Sequence, residues 1–172
     1  PVTCIIGGSK ISTKINVITN LIKNVNNIII VGAMANNFLT FKGFKVGKSL
    51  IEKNSEKIIN NIYAEAKKHN CNIFIPEDCD VSTDFKGAGK IKEQDSIDKD
   101  EIILDIGPKT IKKIQNIIEI SNTVLWNGPA GYFENPNFAN GSYEIAKAII
   151  KKNKNKSIYS IVGGGDTIAV LN

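Results

Sequence analysis

The sequence predicts an α/β protein built on a doubly wound, mostly parallel β-sheet with helices on both faces. Short apolar runs alternate along the chain with segments in which apolar residues recur at helical spacing. Glycine clusters follow several of these runs, and ligands bind in such sheets at the carboxyl ends of the strands. The clusters are Gly7-Gly8, Gly32, Gly128 with Gly131, and Gly163-Gly164-Gly165.

The first half of the chain predicts three strands and three helices. Ile28-Ile29-Ile30-Val31 is wholly β-branched, which is typical of a central parallel strand. The helical segments place isoleucine and leucine on one side, and Ser55 is a favourable N-cap for the third. In order, the predicted elements are a strand at 2–6, a helix at 15–25, a strand at 28–31, a helix at 34–42, a helix from Ser55 through 66, and a strand at 72–75 that Pro76 ends.

The second half begins with a polar, glycine-containing stretch at 77–100, to which no element is assigned, and then returns to the alternation. Pro108 suits the first turn of a helix whose isoleucines lie on one side. No linker divides the chain, so one Rossmann-like, three-layer α/β/α domain is predicted over residues 1–172. The predicted elements are a short apolar run at 102–104, a helix from Pro108, a strand at 123–126, a helix at 141–152 and a strand at 157–162.

Composition and charge exclude several classes of function. No apolar run approaches the roughly 20 residues that span a bilayer, so no membrane partner is expected. All 22 basic residues are Lys and the net charge is +5, but the lysines are scattered beside glutamates without an aromatic-interleaved stripe. Nucleic-acid binding is therefore not expected. Cys4, Cys71 and Cys79 lack zinc-ligand spacing and predict reduced thiols in a cytoplasmic protein.

The most informative motif is Gly163-Gly164-Gly165-Asp166-Thr167, which follows the last apolar run. Glycines allow a sharp turn that presents bare N–H groups to an anion, and the following Asp can hold Mg²⁺ against a phosphate chain. A flexible turn with an N-cap Asp is the alternative. Three consecutive glycines cost conformational entropy, so the motif favours phosphate binding.

A second motif, Gly7-Gly8-Ser9-Lys10-Ile11-Ser12-Thr13-Lys14, joins the first strand to the first helix. Lys10 and Lys14 are four residues apart and are predicted to share one helical face near its N-terminus. Cations at that end of a helix interact unfavourably with the helix dipole, which indicates a functional role such as phosphate binding. Two solvated lysines explain the pattern equally well.

A third motif, Trp126-Asn127-Gly128-Pro129-Ala130-Gly131-Tyr132-Phe133-Glu134, follows a predicted strand. Asn127 can hydrogen-bond ligand oxygens, and Glu134 can bind ribose hydroxyls. Taken alone, the motif is better explained as an ordinary turn with a buried Phe.

Together these segments resemble the C-terminal, nucleotide-binding domain of the phosphoglycerate kinase family, and the resemblance covers essentially the whole chain. Where many members have three glycines before Met-Ala, this chain has Val31-Gly32-Ala33, which implies a narrower adenine pocket. The other matching segments are Gly47-Lys48-Ser49-Leu50, Leu104-Asp105-Ile106-Gly107-Pro108, Phe138-Ala139-Asn140-Gly141 and the three motifs above.

The resemblance implies a glycolytic enzyme that transfers a phosphoryl group reversibly between 1,3-bisphosphoglycerate and ADP, giving 3-phosphoglycerate and MgATP. Lys10 would be the catalytic residue that stabilises the transferred phosphoryl group. Asp166 would hold Mg²⁺. The remaining nucleotide contacts implied by the resemblance are Lys14 and Asn127 on the phosphate chain, Glu134 on the ribose, and Gly164, Gly165 and Thr167 at the helix N-terminus.

The resemblance also implies that residues 1–172 are this domain truncated at both ends, without the N-terminal domain through which the family binds phosphoglycerate. The chain is therefore expected to bind nucleotide without turnover by itself, and the parent protein is expected to be a monomer. A non-catalytic nucleotide-binding module of the same fold is the alternative. A dinucleotide-binding oxidoreductase is less consistent with the sequence, because the G-x-G-x-x-G fingerprint is missing.

Overall fold

The computed structural model describes residues 1–155 and 157–172 and shows strands and helices alternating along most of the chain. None of the helices in these ranges is long and apolar enough to cross a membrane. The elements are β1 (Val2–Ile6), α1 (Ile15–Ile22), β2 (Asn27–Ile30), α2 (Met34–Phe41), α3 (Glu56–Lys68), β3 (Asn72–Phe74), β4 (Asp78–Ser82), β5 (Lys90–Glu93), β6 (Ile102–Ile106), α4 (Pro108–Ile120), β7 (Thr123–Asn127), a 3₁₀ turn (Pro136–Phe138), α5 (Asn140–Lys154), β8 (Tyr159–Gly163) and α6 (Gly165–Leu171).

The main sheet has five parallel strands in the order β3-β2-β1-β7-β8. From the central strand β1 the chain moves outward to β2 and β3, and it later returns to the other side of β1 for β7 and β8. β1 therefore lies where the winding reverses direction, which is where open α/β sheets bind ligands. Ile6 is in register with Ile30 on one side and Asn127 on the other, so the carboxyl ends of the three strands are level.

Both faces of the main sheet are covered by helices, as predicted. Alternate residues of a strand point to opposite faces. Cys4 and Ile6 of β1 pack into a core formed with α1, α2 and α3. Ile5 packs into a second core formed with α4, α5 and α6, in which Trp126 of β7 is buried. The doubly wound, three-layer α/β/α fold is confirmed.

A second sheet, which the sequence did not predict, is formed by the polar stretch together with the short apolar run before α4. β4 pairs with both β5 and β6 in an antiparallel sheet of order β5-β4-β6. Its strands are hard to recognise because β5 reads Lys-Ile-Lys-Glu and is largely exposed. This sheet covers a separate small core of buried residues: Leu39, Val46, Cys79, Val81 and Ile97.

The first helix is shorter than predicted. α1 begins at Ile15, with Lys14 at the N-cap position, and ends at Ile22. Lys10 lies in the loop before it, so the prediction that Lys10 and Lys14 share a helical face is wrong. Val25 lies beyond the helix but is still buried in the same core.

Asp78 joins the second sheet to α4 from a position with 2% exposure. The N-cap of α4 is Gly107, which has no side chain to accept the free N–H groups of the first turn. Asp78 does so instead: its Oδ2 accepts from the Lys109 N–H at 2.9 Å, and its Oδ1 accepts from the Thr110 N–H at 2.8 Å. The Thr110 hydroxyl also donates to Oδ1, at 2.6 Å.

We expect Asp78→Ala to lower the free energy of unfolding by about 3 kcal/mol, because it strips a buried helix terminus of charged acceptors. Urea denaturation measures this. Asp100→Ala, at an exposed position in the turn before β6, should change the free energy by less than about 0.5 kcal/mol. Equal effects of the two substitutions would contradict the role of Asp78.

Candidate functional site

The loops after β1, β2 and β7 join through backbone hydrogen bonds at the carboxyl edge of the main sheet. The Gly7 N–H donates to the Asn127 carbonyl at 2.8 Å, and the Gly8 carbonyl accepts from the Met34 N–H at 2.8 Å. The Gly32 N–H donates to the Ala130 carbonyl at 3.2 Å. The glycine clusters of three separate strands therefore form one continuous backbone surface.

Two of these glycines are required by close approach. A Cβ at Gly7 would lie 2.4 Å from the Pro129 carbonyl oxygen, and a Cβ at Gly128 would lie 2.4 Å from the Gly7 carbonyl carbon. Gly128 also has φ of +103°, which L side chains rarely adopt. The two loops can meet this closely only because neither position carries a side chain.

A cleft of about 330 Å³ opens beside this surface. Its walls are mostly apolar, and its rim carries an aromatic pair: Phe85 and Tyr132 meet edge to face with ring centroids 5.3 Å apart. Phe85 belongs to the β4–β5 hairpin, whose backbone is held by the Asn135 side chain, which donates to the Phe85 carbonyl at 2.9 Å. The apolar walls include Ala33, Leu39, Leu50, Ile103, Leu104 and Pro129.

Lys14 and Asn127 meet beside the glycine turn that follows β8. The Lys14 Nζ donates to the Asn127 Oδ1 at 2.5 Å. Asn127 Nδ2 is close to that turn, since Cβ atoms at Gly163 and Gly164 would lie 3.3 and 3.5 Å from it. Partial burial lowers the pKa of Lys14 below its usual value. The segment after β1 thus supplies a cation, Lys14, and the end of β7 supplies an amide, Asn127. Both lie beside the turn after β8.

The turn from β8 into α6 is fixed from the inside by Thr167. Gly164, at φ of +90°, carries the chain from the strand into the helix. Thr167 is fully buried, and its Oγ1 accepts from the Gly128 N–H at 2.6 Å. Asp166 precedes it in the first turn of α6, is exposed, and lines the cleft.

The remaining predicted side chains are those of Glu134 and Lys10. Glu134 is exposed and lines the cleft. Lys10 is exposed in the loop before α1 and is not among the described residues that line the cleft. The structure therefore brings Lys14 and Asn127 together with the turn that contains Gly164, Gly165, Asp166 and Thr167.

The described ranges hold no group of three or more His, Cys, Asp or Glu residues placed to bind a metal. Mg²⁺ bound to a nucleotide is held by one or two carboxylates together with substrate phosphates and water. Asp166, exposed beside the glycine turn, can supply one such carboxylate.

Two buried polar residues of the cleft wall, Asp105 and Asn36, were not predicted as site residues. Asp105 is 2% exposed; its Oδ1 accepts from the Ile106 N–H at 2.8 Å and its Oδ2 from the Gly141 N–H at 2.9 Å. Burial raises its pKa to about 7, although these hydrogen bonds act in the opposite direction. The position of Asp105 in the otherwise apolar strand β6 was the sequence signal that could have identified it.

The chain is similar to phosphoglycerate kinases throughout its length. The family model described as phosphoglycerate kinase matches residues 1–172. The phosphoglycerate kinases of Wolbachia pipientis (strain wPip) and Zymomonas mobilis are each 41% identical over 174 residues, covering 100% of this chain and 44% of the relative. This chain thus spans less than half the length of these relatives.

Solved structures agree with the sequence matches. The structure of phosphoglycerate kinase from Coxiella burnetii superposes with a TM-score of 0.94 at 35% identity, covering 99% of this chain and 44% of that one. The phosphoglycerate kinase of Pyrococcus horikoshii superposes with a TM-score of 0.75 at 26% identity, covering 99% and 43%.

The close approach of the loops predicts that Gly7→Ala lowers the free energy of unfolding by about 3 kcal/mol, since the added methyl group meets backbone that cannot move away. Gly165→Ala is the matched control, because a Cβ there meets nothing within 4 Å. It should leave stability within about 1 kcal/mol of the wild type. Thermal and urea unfolding of both variants measure the difference, and a Gly7→Ala variant as stable as Gly165→Ala would contradict the geometry.

The raised pKa of Asp105 predicts a pH-dependent contribution to stability. Between its ordinary value of 3.8 and about 7, the native state keeps a proton that the unfolded chain releases. The free energy of unfolding should therefore fall as the pH rises through this interval, by about 2 kcal/mol between pH 5 and pH 8. Asp105→Asn should remove this part of the slope in urea titrations, whereas Asp100→Asn should retain it.

A carboxyl ¹³C NMR titration of the wild type checks the same point directly. A midpoint near pH 4 for Asp105, or parallel pH profiles for the wild type and Asp105→Asn, would contradict it.

Proposed function

The chain belongs to the phosphoglycerate kinase family, and we propose that it supplies the nucleotide-binding half of that enzyme's active site. The reaction is the reversible transfer of a phosphoryl group between 1,3-bisphosphoglycerate and ADP, giving 3-phosphoglycerate and ATP in glycolysis. The observation that carries the proposal is the meeting of Lys14, Asn127 and the glycine turn before α6, a turn that leads directly into Asp166 in the lining of an apolar cleft. The apolar cleft suits a planar base, and the polar groups at the glycine turn suit phosphates.

In this proposal the base enters the apolar cleft and the phosphates lie along the glycine turn. Gly164 and Gly165 offer backbone N–H groups at a helix N-terminus. The buried Thr167 hydroxyl accepts from the Gly128 N–H, and in this proposal it holds phosphates at the helix N-terminus by keeping this turn in its binding shape. Lys14 and Asn127 would bind the phosphate chain, and Glu134, exposed at the cleft, would accept from the ribose hydroxyls.

Asp166 is the proposed Mg²⁺ ligand. Its carboxylate lines the cleft from the first turn of α6, next to the turn that would hold the phosphates. Bound Mg²⁺ would neutralise phosphate charge and orient the chain of phosphates. The buried Thr167 anchors the first turn of α6, in which Asp166 lies.

Lys10 is the proposed catalytic residue, facing the transferred phosphoryl group from the loop before α1. Phosphoryl transfer depends on positioning and charge stabilisation, for which an exposed ammonium group on a loop anchored by Gly7 and Gly8 is suited. The phosphoglycerate site is proposed to lie in the part of the relatives that this chain does not span. We therefore expect nucleotide binding without turnover by residues 1–172 alone, in a cytoplasmic setting that suits the free, buried thiols.

Calorimetric titration with ADP, with and without Mg²⁺, tests the proposal. We expect Mg²⁺ to tighten ADP binding by about tenfold, because the metal joins the phosphates to Asp166. Asp166→Ala should abolish this tightening while leaving the fold unchanged by circular dichroism. The exposed Asp100 provides the matched control, and Asp100→Ala should retain the full effect of Mg²⁺.

The same titration with NAD distinguishes a kinase site from a dinucleotide site. Tighter binding of NAD than of MgADP would overturn the proposed function. So would ADP binding that ignores both Mg²⁺ and the Asp166 substitution.

A further inference from the structure

Asn36 of α2 holds a buried hydrogen-bond acceptor in the wall of the cleft. The residue is 1% exposed and lines the cleft. Its Nδ2 donates to the Leu50 carbonyl at 2.9 Å, which ties the loop after Gly47 to the helix. Its Oδ1 is buried and has no hydrogen-bond partner within the described part of the chain.

The orientation of this amide is set by its chemistry. Exchanging the oxygen and nitrogen of Asn36 would place Oδ1 against the Leu50 carbonyl, so that two acceptors would face each other without a proton between them. The nitrogen must therefore face Leu50, and the oxygen is the atom left without a donor. An unsatisfied buried acceptor costs about 1 to 3 kcal/mol, so a native structure that keeps one needs a reason.

The neighbouring Asn37 shows what a purely structural asparagine looks like at this place. Its Oδ1 accepts from the Glu52 N–H at 2.8 Å and its Nδ2 donates to the Met34 carbonyl at 3.3 Å. It is buried to 3% exposure, holds the same loop against the same helix, and does not line the cleft. Both the oxygen and the nitrogen of the Asn37 amide have hydrogen-bond partners, whereas the oxygen of the Asn36 amide has none in the described part of the chain.

The surroundings of Asn36 in the cleft provide few donors. Leu39, Leu50 and Ile103 line the cleft with it, and their side chains are apolar. A ligand that satisfies Oδ1 must therefore bring its own N–H group while presenting an apolar body to the rest of the wall. Because the atom is buried, such a ligand must also displace part of the apolar lining to reach it.

We propose that Asn36 Oδ1 accepts a hydrogen bond from the exocyclic amino group of the nucleotide base, which makes the cleft selective for 6-aminopurine over 6-oxopurine nucleotides. The inference rests on the proposed nucleotide-binding function. Adenine presents an N–H donor at its 6-position, whereas a 6-oxopurine presents an oxygen acceptor there. Against Asn36 the oxo base sets acceptor against acceptor and leaves both unsatisfied.

The test compares MgADP with MgIDP, whose bases differ in the 6-substituent and in the proton that N1 of hypoxanthine carries, by calorimetry on the 172-residue chain. We expect ADP to bind about tenfold more tightly than IDP to the wild type. Asn36→Leu should bring the ratio close to one. Asn37→Leu, the matched control, removes the other anchor of the same loop and should leave the ratio at its wild-type value, even if stability falls.

The outcomes distinguish failure of this inference from failure of the proposed function. Binding of both nucleotides to the wild type with a ratio near one overturns this inference and leaves the proposed function standing. Binding of neither overturns both. A ratio that Asn36→Leu and Asn37→Leu change equally assigns Asn36 to loop structure alone and overturns the inference.

A wild-type measurement covers the case in which Asn36→Leu does not fold. Purine riboside diphosphate lacks any 6-substituent and adds no steric demand. It should bind about tenfold more weakly than ADP, as IDP does. Affinity equal to that of ADP would overturn the inference.

Discussion

The contact between the backbones of Gly7 and Gly128 is the constraint on which the site depends. It lies where the winding of the sheet reverses around β1, so it joins the two halves of the fold at their shared edge. A methyl group at either position would collide with the other loop, and the hydrogen bond from Gly7 to Asn127 would lengthen with it. Because both loops follow strands in register, their separation is set by the sheet, and only glycine fits the space that remains.

The same contact also positions the two segments that carry the charged groups of the site. The Gly128 N–H is taken by the hydroxyl of Thr167, so the same turn that touches Gly7 also fixes the start of α6. The Asn127 side chain, one residue earlier, accepts from Lys14. A displacement of the β7 loop would therefore move the cation of one loop and the carboxylate of another together. Glycine is usually associated with flexibility, but Gly7 and Gly128 are fixed here by close packing.

The parts predicted correctly from the sequence are those governed by local pattern. Apolar periodicity located the strands of the main sheet and the helices on both faces, and the glycine clusters lie after strands as expected. The second sheet was not predicted because β5 is polar and exposed, so that its pairing depends on tertiary contacts. Spacing alone also misplaced Lys10, since the chain turns before α1 begins. Asp105 and Asn36 were missed because burial of a polar side chain is a property of packing and cannot be read from spacing.

The division between fixed backbone and exposed charge matches what phosphoryl transfer requires. Such a reaction needs its donors in place beforehand, because groups that must reorganise during the reaction stabilise the transition state less. In this site the backbone N–H groups and Thr167 are held by the meeting of loops, while Lys10, Asp166 and Glu134 remain exposed. Exposed charges are strongly hydrated and gain strength only when water is excluded. The arrangement is therefore a rigid backbone cradle edged by exposed charged groups, which would gain strength in the proposed reaction only where water is excluded from them.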